Sequence, residues 1–346
     1  MPRSAGILFL AATLAASAAR AQEPDTPGDA APRLTLRGFS DVSFAAREED
    51  GPATFALGQF DTFMTSALSD DVSVLAEIVF EFGEDNAAVL DVERAQIRWA
   101  PADVFTLTAG RMHTPLGYWN QTFHHGSWLQ TTAERPLMYR FEDDGGILPV
   151  HMVGVQAAGA WNARRATLKY SAAVVNGRGH IPDEIANVRD ASDAKAVSLW
   201  LGVAPAGTGL EVGLSAYLDT LPAFADHGDV RERIFGAYVV FAHDGLELLG
   251  ELSRVRHRAD GDTFDAWGGY AQAGLKRGRW TPYYRFDRVE VAAGDPFLEA
   301  GELSVHTLGL RFELLSWAAL KGEYHREQPA GADGVHSARV QAAFTF

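Results

Sequence analysis

The chain of 346 residues contains no cysteine. No disulfide framework can hold it together, and no cysteine follows its export signal to carry a lipid anchor. It is also short of positive charge. The 30 Lys and Arg stand against 45 Asp and Glu, for a net charge of −15. So acidic a chain is a poor partner for nucleic acid, whose phosphates need clustered cations. Past residue 21 it has no apolar run of about 18 residues, so no helix can span a bilayer. A membrane location must then be built from strands closed into a barrel. Enzyme signatures are missing as well. There is no G-x-S-x-G elbow, no P-loop or Rossmann pattern and no H-E-x-x-H. Ser127 follows His125 closely, but a hydrolase needs Ser, His and an orienting group converging in space, and proximity in sequence does not supply that. No catalytic residue, cofactor or metal site is expected.

What is present begins with export. Met1-Pro2-Arg3, an apolar stretch from Ala5 to Ala19 and Ala19-Arg20-Ala21 form the basic start, short apolar core and A-x-A end of a secretory signal peptide. Cleavage after Ala21 leaves residues 22–32 as a short periplasmic tail carrying Pro and Asp. Residues 33–346 are then a succession of short segments with alternating polarity. In the stretch Val72 to Phe82, the even positions are apolar or Ala, and Ser73, Glu77 and Glu81 fall between them. Such a strand can turn one face to lipid and the other to water. Counting these segments gives about 16 strands, the sixth beginning at residue 147.

The connections alternate in length. Short ones lie at 69–71, 100–103, 162–165, 204–209, 242–245, 276–279 and 314–317. Longer or more polar ones lie at 47–52, 83–88, 112–146, 177–194, 220–231, 257–264, 289–303 and 326–336. Short periplasmic turns and long external loops are the pattern of an all-β, antiparallel transmembrane barrel. Trp99, Trp161, Trp280 and Trp317 all fall beside short turns, where an aromatic girdle would sit. The chain ends with Val340, Ala342, Phe344 and Phe346 on one face. A terminal Phe346 fits the signal that hands such barrels to the assembly machinery.

The loop at 112–146, third on the external side, is too long and too aromatic to be a plain connection. The stretch Ala109-Gly-Arg-Met-His-Thr-Pro-Leu-Gly117 resembles the strand-to-loop segment of porins related to the phosphate-selective family. The whole mature chain resembles the 16-stranded outer-membrane porins of Gram-negative bacteria. That resemblance implies a third loop folded into the lumen as a constriction, and a homotrimer embedded among outer-membrane lipids and lipopolysaccharide. Phosphate selectivity does not carry over, since the chain lacks the required abundance of Arg and Lys. The loop residues expected at the constriction are His113, Tyr118, Trp119, His124, His125, Glu134, Arg135, Arg140, Glu142, Asp143 and Asp144. The expected basic wall is Arg94, Arg98, Arg285, Arg311, Lys321 and Arg339. An acidic loop against a basic wall would set a transverse field across the pore.

His113, His124, His125 and His151 lie in or beside this loop. Adjacent histidines of an extended segment point apart, so the expectation is hydrogen-bonded loop structure rather than a metal site. The function expected is passive diffusion of small hydrophilic solutes or ions. A substrate-specific channel for an anion, sugar or metal complex is the first alternative, suggested by the aromatic and His content of 113–128. A secreted soluble β-protein or adhesin is the second.

Overall fold

The computed structural model describes residues 33–48, 53–82, 88–124, 126–141, 144–182, 184, 188–223 and 227–346. The signal peptide and tail, His125, Glu142 and Asp143 lie outside the described residues. Sixteen strands follow one another: β1 (Arg33–Arg47), β2 (Thr54–Ala67), β3 (Val72–Phe82), β4 (Ala88–Ala102), β5 (Phe105–His113), β6 (His151–Ala163), β7 (Ala166–Val175), β8 (Ala196–Pro205), β9 (Leu210–Leu221), β10 (Val230–His243), β11 (Leu246–Ala259), β12 (Asp262–Leu275), β13 (Trp280–Val291), β14 (Gly301–Leu315), β15 (Ala318–Pro329) and β16 (Val335–Thr345). Each pairs antiparallel with its chain neighbours, and β1 pairs with β16, so the sheet is a closed barrel. Closure leaves no edge of unpaired backbone groups, the condition for standing in hydrocarbon. At the seam the last residue is bonded in: Gly38 N–H donates to the Phe346 carbonyl at 2.9 Å, and Phe346 N–H to the Gly38 carbonyl at 3.0 Å. The Phe346 ring stacks on Phe60.

The sequence alternation becomes an inside and an outside. Along β8, Leu201 on the outer face is 60% exposed, whereas Ser198 on the inner face is fully buried. On β3, Phe80 is exposed on the outer face that Val74 and Ile78 share, and Glu77 points inward. Trp99, Trp161, Trp280 and Trp317 are all exposed on the outer surface beside the short turns, as a girdle requires.

One strand switches its parity. Glu77 pairs with Arg94 and Ile78 with Val92, so Glu93 is an extra residue in β4. This β-bulge brings both Glu93 and Arg94 into buried positions while Leu90 and Val92 before it, and Ile97 and Trp99 after it, stay exposed. Re-aiming a side chain is a common use of a bulge.

Strand ends shift by a few residues throughout, and at two places the shift changes the connection itself. The connection expected at 257–264 is a tight hairpin: Asp260 and Gly261 have φ of 50° and 98°, and Ala259 pairs directly with Asp262. An Asp-Gly pair with positive φ at both residues gives the primed turn whose twist suits two strands. The sixth strand starts at His151, not at 147. Ile147, Leu148 and Val150 instead bury themselves within the barrel.

At the end of β5, Gly110 has φ of 127°. A Cβ there would strike the Ala95 carbonyl oxygen and lie 2.9 Å from Gln96 Cα. Gly110→Ala is therefore expected to lower stability by about 1–3 kcal/mol, read as an earlier midpoint in denaturation of the refolded barrel.

Candidate functional site

The described residues between Thr114 and Val150 fold back into the barrel. The loop carries a short helix, α1 (Trp119–Thr122), and a 3-10 turn at Leu137–Tyr139. Leu116, Trp119, Met138, Tyr139, Ile147 and Leu148 pack into one buried cluster with inward residues of the wall, among them Ile234, Val255, Ala266, Val289 and Val305. Here the barrel is apolar on both faces, because the inner face meets the loop rather than water.

Polar contacts fix the loop's height and direction. The Glu251 carboxylate on β11 accepts hydrogen bonds from Tyr118 N and Trp119 N, both at 2.8 Å, and from the hydroxyls of Tyr139 and Tyr270, both at 2.7 Å. Burial beside this carboxylate pushes the Tyr139 phenol well above its ordinary value. Thr131 donates to Glu247 at 2.9 Å. Ala133 N donates to Glu323 at 2.7 Å, and Leu137 N to Asp287 at 3.2 Å. The wall also supplies donors. Arg285 reaches the carbonyls of Glu134 at 2.8 Å and Arg135 at 3.1 Å. Arg311 reaches those of Trp128 and Gln130, both at 2.7 Å. Lys321 donates to the carbonyls of Ser127 and Thr132.

Arg285, Arg311 and Lys321 are accordingly buried beneath the loop rather than ranged along open lumen. Arg94 is buried too, paired with Glu77. Arg98 is exposed, with Thr106 Oγ1 3.5 Å from its guanidinium. Of the six wall residues, Arg339 faces the remaining space most directly, 2.6 Å from Glu134 of the loop.

That space is a cavity of about 570 Å³ between the loop and the wall formed by β15, β16, β1 and β2. Its loop side carries Glu134, Arg135, Arg140 and Asp144; its wall side carries Asp41, Arg47, Glu327 and Arg339. Both signs stand on both sides, so the charges interleave instead of separating into an acidic loop and a basic wall. Arg47 pairs with Glu327 at 2.8 Å, and Arg140 lies 3.9 Å from Asp144. Burial works to raise the Glu134 carboxyl, but the Arg339 guanidinium outweighs it and holds the group below the usual carboxylate range.

The aromatic residues of the loop have a different task. Trp119 is buried and stacks on Tyr139 with centroids 5.5 Å apart. Tyr118, half-buried, lies against Phe123 and Tyr238. His113, His124 and His151 are brought together, joined by Glu93 from the bulge. Sequence reasoning missed Glu93, Asn120, Glu247 and Glu251, whereas alternation already put Asp287 and Glu323 on the polar faces of their strands beside Arg285 and Lys321. The break in alternation around Glu93 was a usable signal for the first; nothing local distinguishes the others from ordinary lumen-facing residues.

No protein-family model matches the chain, and no curated protein matches it. Solved structures do. An anion-selective porin from Comamonas acidovorans superposes with a TM-score of 0.67 at 14% identity, over 91% of this chain and 100% of that one. In-vitro folded OmpT of Vibrio cholerae, in its trimer form, gives 0.63 at 12% identity, over 91% and 100%. OmpF of Salmonella typhi in complex with daunomycin gives 0.63 at 10% identity, over 91% and 98%. The fold is that of the 16-stranded porins. At such identities the likeness covers the path of the chain, and the charged passage has to be read from this porin fold's own residues.

Proposed function

We propose that this chain is an outer-membrane porin that lets small hydrophilic solutes and ions diffuse passively through a lumen narrowed by its third loop. The observation that carries the reading is the loop held against the β9–β15 side of a closed barrel whose outer face is apolar, leaving a polar cavity lined by β15, β16, β1 and β2. Residues 1–21 would direct export and residues 22–32 would remain as a periplasmic tail. Phe346 would present the strand read by the assembly machinery, and lipid with lipopolysaccharide would surround the apolar face in the outer membrane of a Gram-negative bacterium. A homotrimer is the assembly proposed, in line with the trimer form of Vibrio OmpT. The constriction would be formed by Glu134, Arg135, Arg140, Asp144 and Arg339. Phosphate selectivity is not part of the proposal, because acidic groups match the basic ones along the cavity. Nor is a stacking subsite for a sugar, since Trp119 is consumed in packing the loop.

The test is reconstitution in planar bilayers. Stepwise conductance is expected. A barrel with the heat-modifiable gel mobility of a folded porin and no conductance would overturn the proposal. Arg339→Gln removes one cation from the narrowest polar stretch, so its reversal potential in a salt gradient should move toward cation preference. An unchanged reversal potential would take Arg339 out of the passage.

A further inference from the structure

Four potential ligands from four different places meet at the root of the loop. They are Glu93 on the β4 bulge, His113 at the end of β5, His124 just past α1 and His151 at the start of β6. One donor atom from each lies within 4.8 Å of all the others. We propose that these residues bind a divalent first-row transition ion, Zn²⁺ by their ligand set, and that the ion pins the loop to the barrel wall.

The centre of the site is a triangle. His151 Nε2 is 2.8 Å from Glu93 Oε2, His124 Nε2 is 3.9 Å from the same oxygen, and the two Nε2 atoms are 3.1 Å apart. Zinc bonds of about 2.0–2.1 Å at tetrahedral angles put neighbouring donors about 3.3 Å apart. The three separations bracket that value. Imidazole and carboxylate together suit zinc and its neighbours, whereas Mg²⁺ and Ca²⁺ prefer all-oxygen shells.

The tautomer of His124 is set by a second residue. The Asn120 amide nitrogen donates to the carbonyls of Thr114 at 2.9 Å and Val150 at 3.1 Å. Its oxygen must therefore face His124 Nδ1, 2.6 Å away. An oxygen there accepts, so Nδ1 carries the proton and Nε2 presents its lone pair to the triangle. This is the outer support that ligating histidines usually have. A single proton on His151 Nε2 would have to serve both Glu93 and His124, while an ion in its place satisfies all three donors together.

His113 completes the set by moving. Its ring stacks on His124 with centroids 4.0 Å apart and planes at 22°, and two such nearly parallel, offset ring planes cannot both contain one ion. Its Nε2 has no hydrogen-bond partner among the described residues. A side-chain rotation brings it to the fourth position, so binding should break the stack. Charge balance favours a cation. Asp61, Glu77, Asp91 and Glu93 stand against the guanidiniums of Arg94, Arg111 and Arg135, one acidic group in excess. Phe141 and Trp119 flank the histidines, while His124 also borders the polar cavity, which gives an ion a way in.

The experiment uses the full refolded chain in detergent, stripped with a chelator and then titrated with Zn²⁺, with bound metal measured by elemental analysis. It needs no conductance, so its outcome is separate from the channel reading. One Zn²⁺ per chain is expected, undisturbed by excess Mg²⁺, and Co²⁺ in its place should give the intense visible bands of a tetrahedral centre. His124→Ala and Glu93→Gln should abolish stoichiometric binding. Asn120→Ala, which touches no ion, should weaken it about 10- to 100-fold. Heat-modifiable mobility identifies the variants that have folded, and the Co²⁺ spectrum of the unaltered chain tests the site independently of any variant. No stoichiometric Zn²⁺ on the unaltered chain, or equal binding by folded His124→Ala, would overturn the proposal and leave a hydrogen-bonded histidine cluster.

Discussion

Replacing residues 114–150 with an Asn-Gly turn should raise single-channel conductance severalfold. The design follows from the register. His113 and His151 are directly opposed partners on β5 and β6, so two residues with positive φ can close the hairpin. The barrel's own hydrogen bonds run strand to strand around the whole circle and do not pass through the loop. Arg285, Arg311 and Lys321 would exchange loop carbonyls for water, which a wide polar lumen supplies. The cost falls on Ile234, Val255, Val289 and Val305, which are buried at present. Exposing a side chain of this kind costs about 1.5–3 kcal/mol, so the variant should also denature at a lower temperature. Unchanged conductance in a folded variant would mean that the loop is not the constriction.

The barrel was legible because each strand writes its two faces locally. Leu201 beside Ser198, or Ile78 beside Glu77, needs no knowledge of the remainder of the chain. The outward exposure of the turn-side Trp residues was legible for the same reason. The site was legible only in outline. That Arg285, Arg311 and Lys321 point inward follows from alternation; that they hold loop carbonyls depends on where a 37-residue segment, 114–150, lands. Ile234 and Val289 looked like exceptions to a polar lumen, and they are where the loop lies. The histidines were legible as a group at the loop, but their convergence was obscured by where the sixth strand starts. With that strand begun at 147, His151 sits four residues inside it; begun at 151, it faces His113 across the mouth of a hairpin. The partners of His124 come from other strands, beyond the reach of any reasoning about its neighbour in sequence.

Glu251→Ala should loosen the loop without expelling it. An ionised carboxylate is an acceptor only, and all four groups aimed at Glu251 are donors. Truncation leaves the backbone N–H groups of Tyr118 and Trp119 and the hydroxyl of Tyr270 seeking partners in a buried site, while the Tyr139 hydroxyl keeps the Leu116 carbonyl, 3.1 Å away. Each stranded donor costs about 1–3 kcal/mol, less whatever a water in the vacated space recovers. A net loss of about 3 kcal/mol or more is expected. Against it stand Leu116, Met138, Ile147 and Leu148, all buried and each contributing about 1.5–3 kcal/mol. Packing therefore keeps the loop inside, while the segment around α1 gains freedom. In bilayers this should appear as added open-channel noise at nearly unchanged mean conductance, together with new protease cleavage between residues 116 and 124 and an earlier denaturation midpoint. Glu251→Gln keeps one acceptor oxygen and should fall between the two. If Glu251→Ala were as quiet and as protease-resistant as the unaltered chain, the four hydrogen bonds would not be what holds the loop at that height.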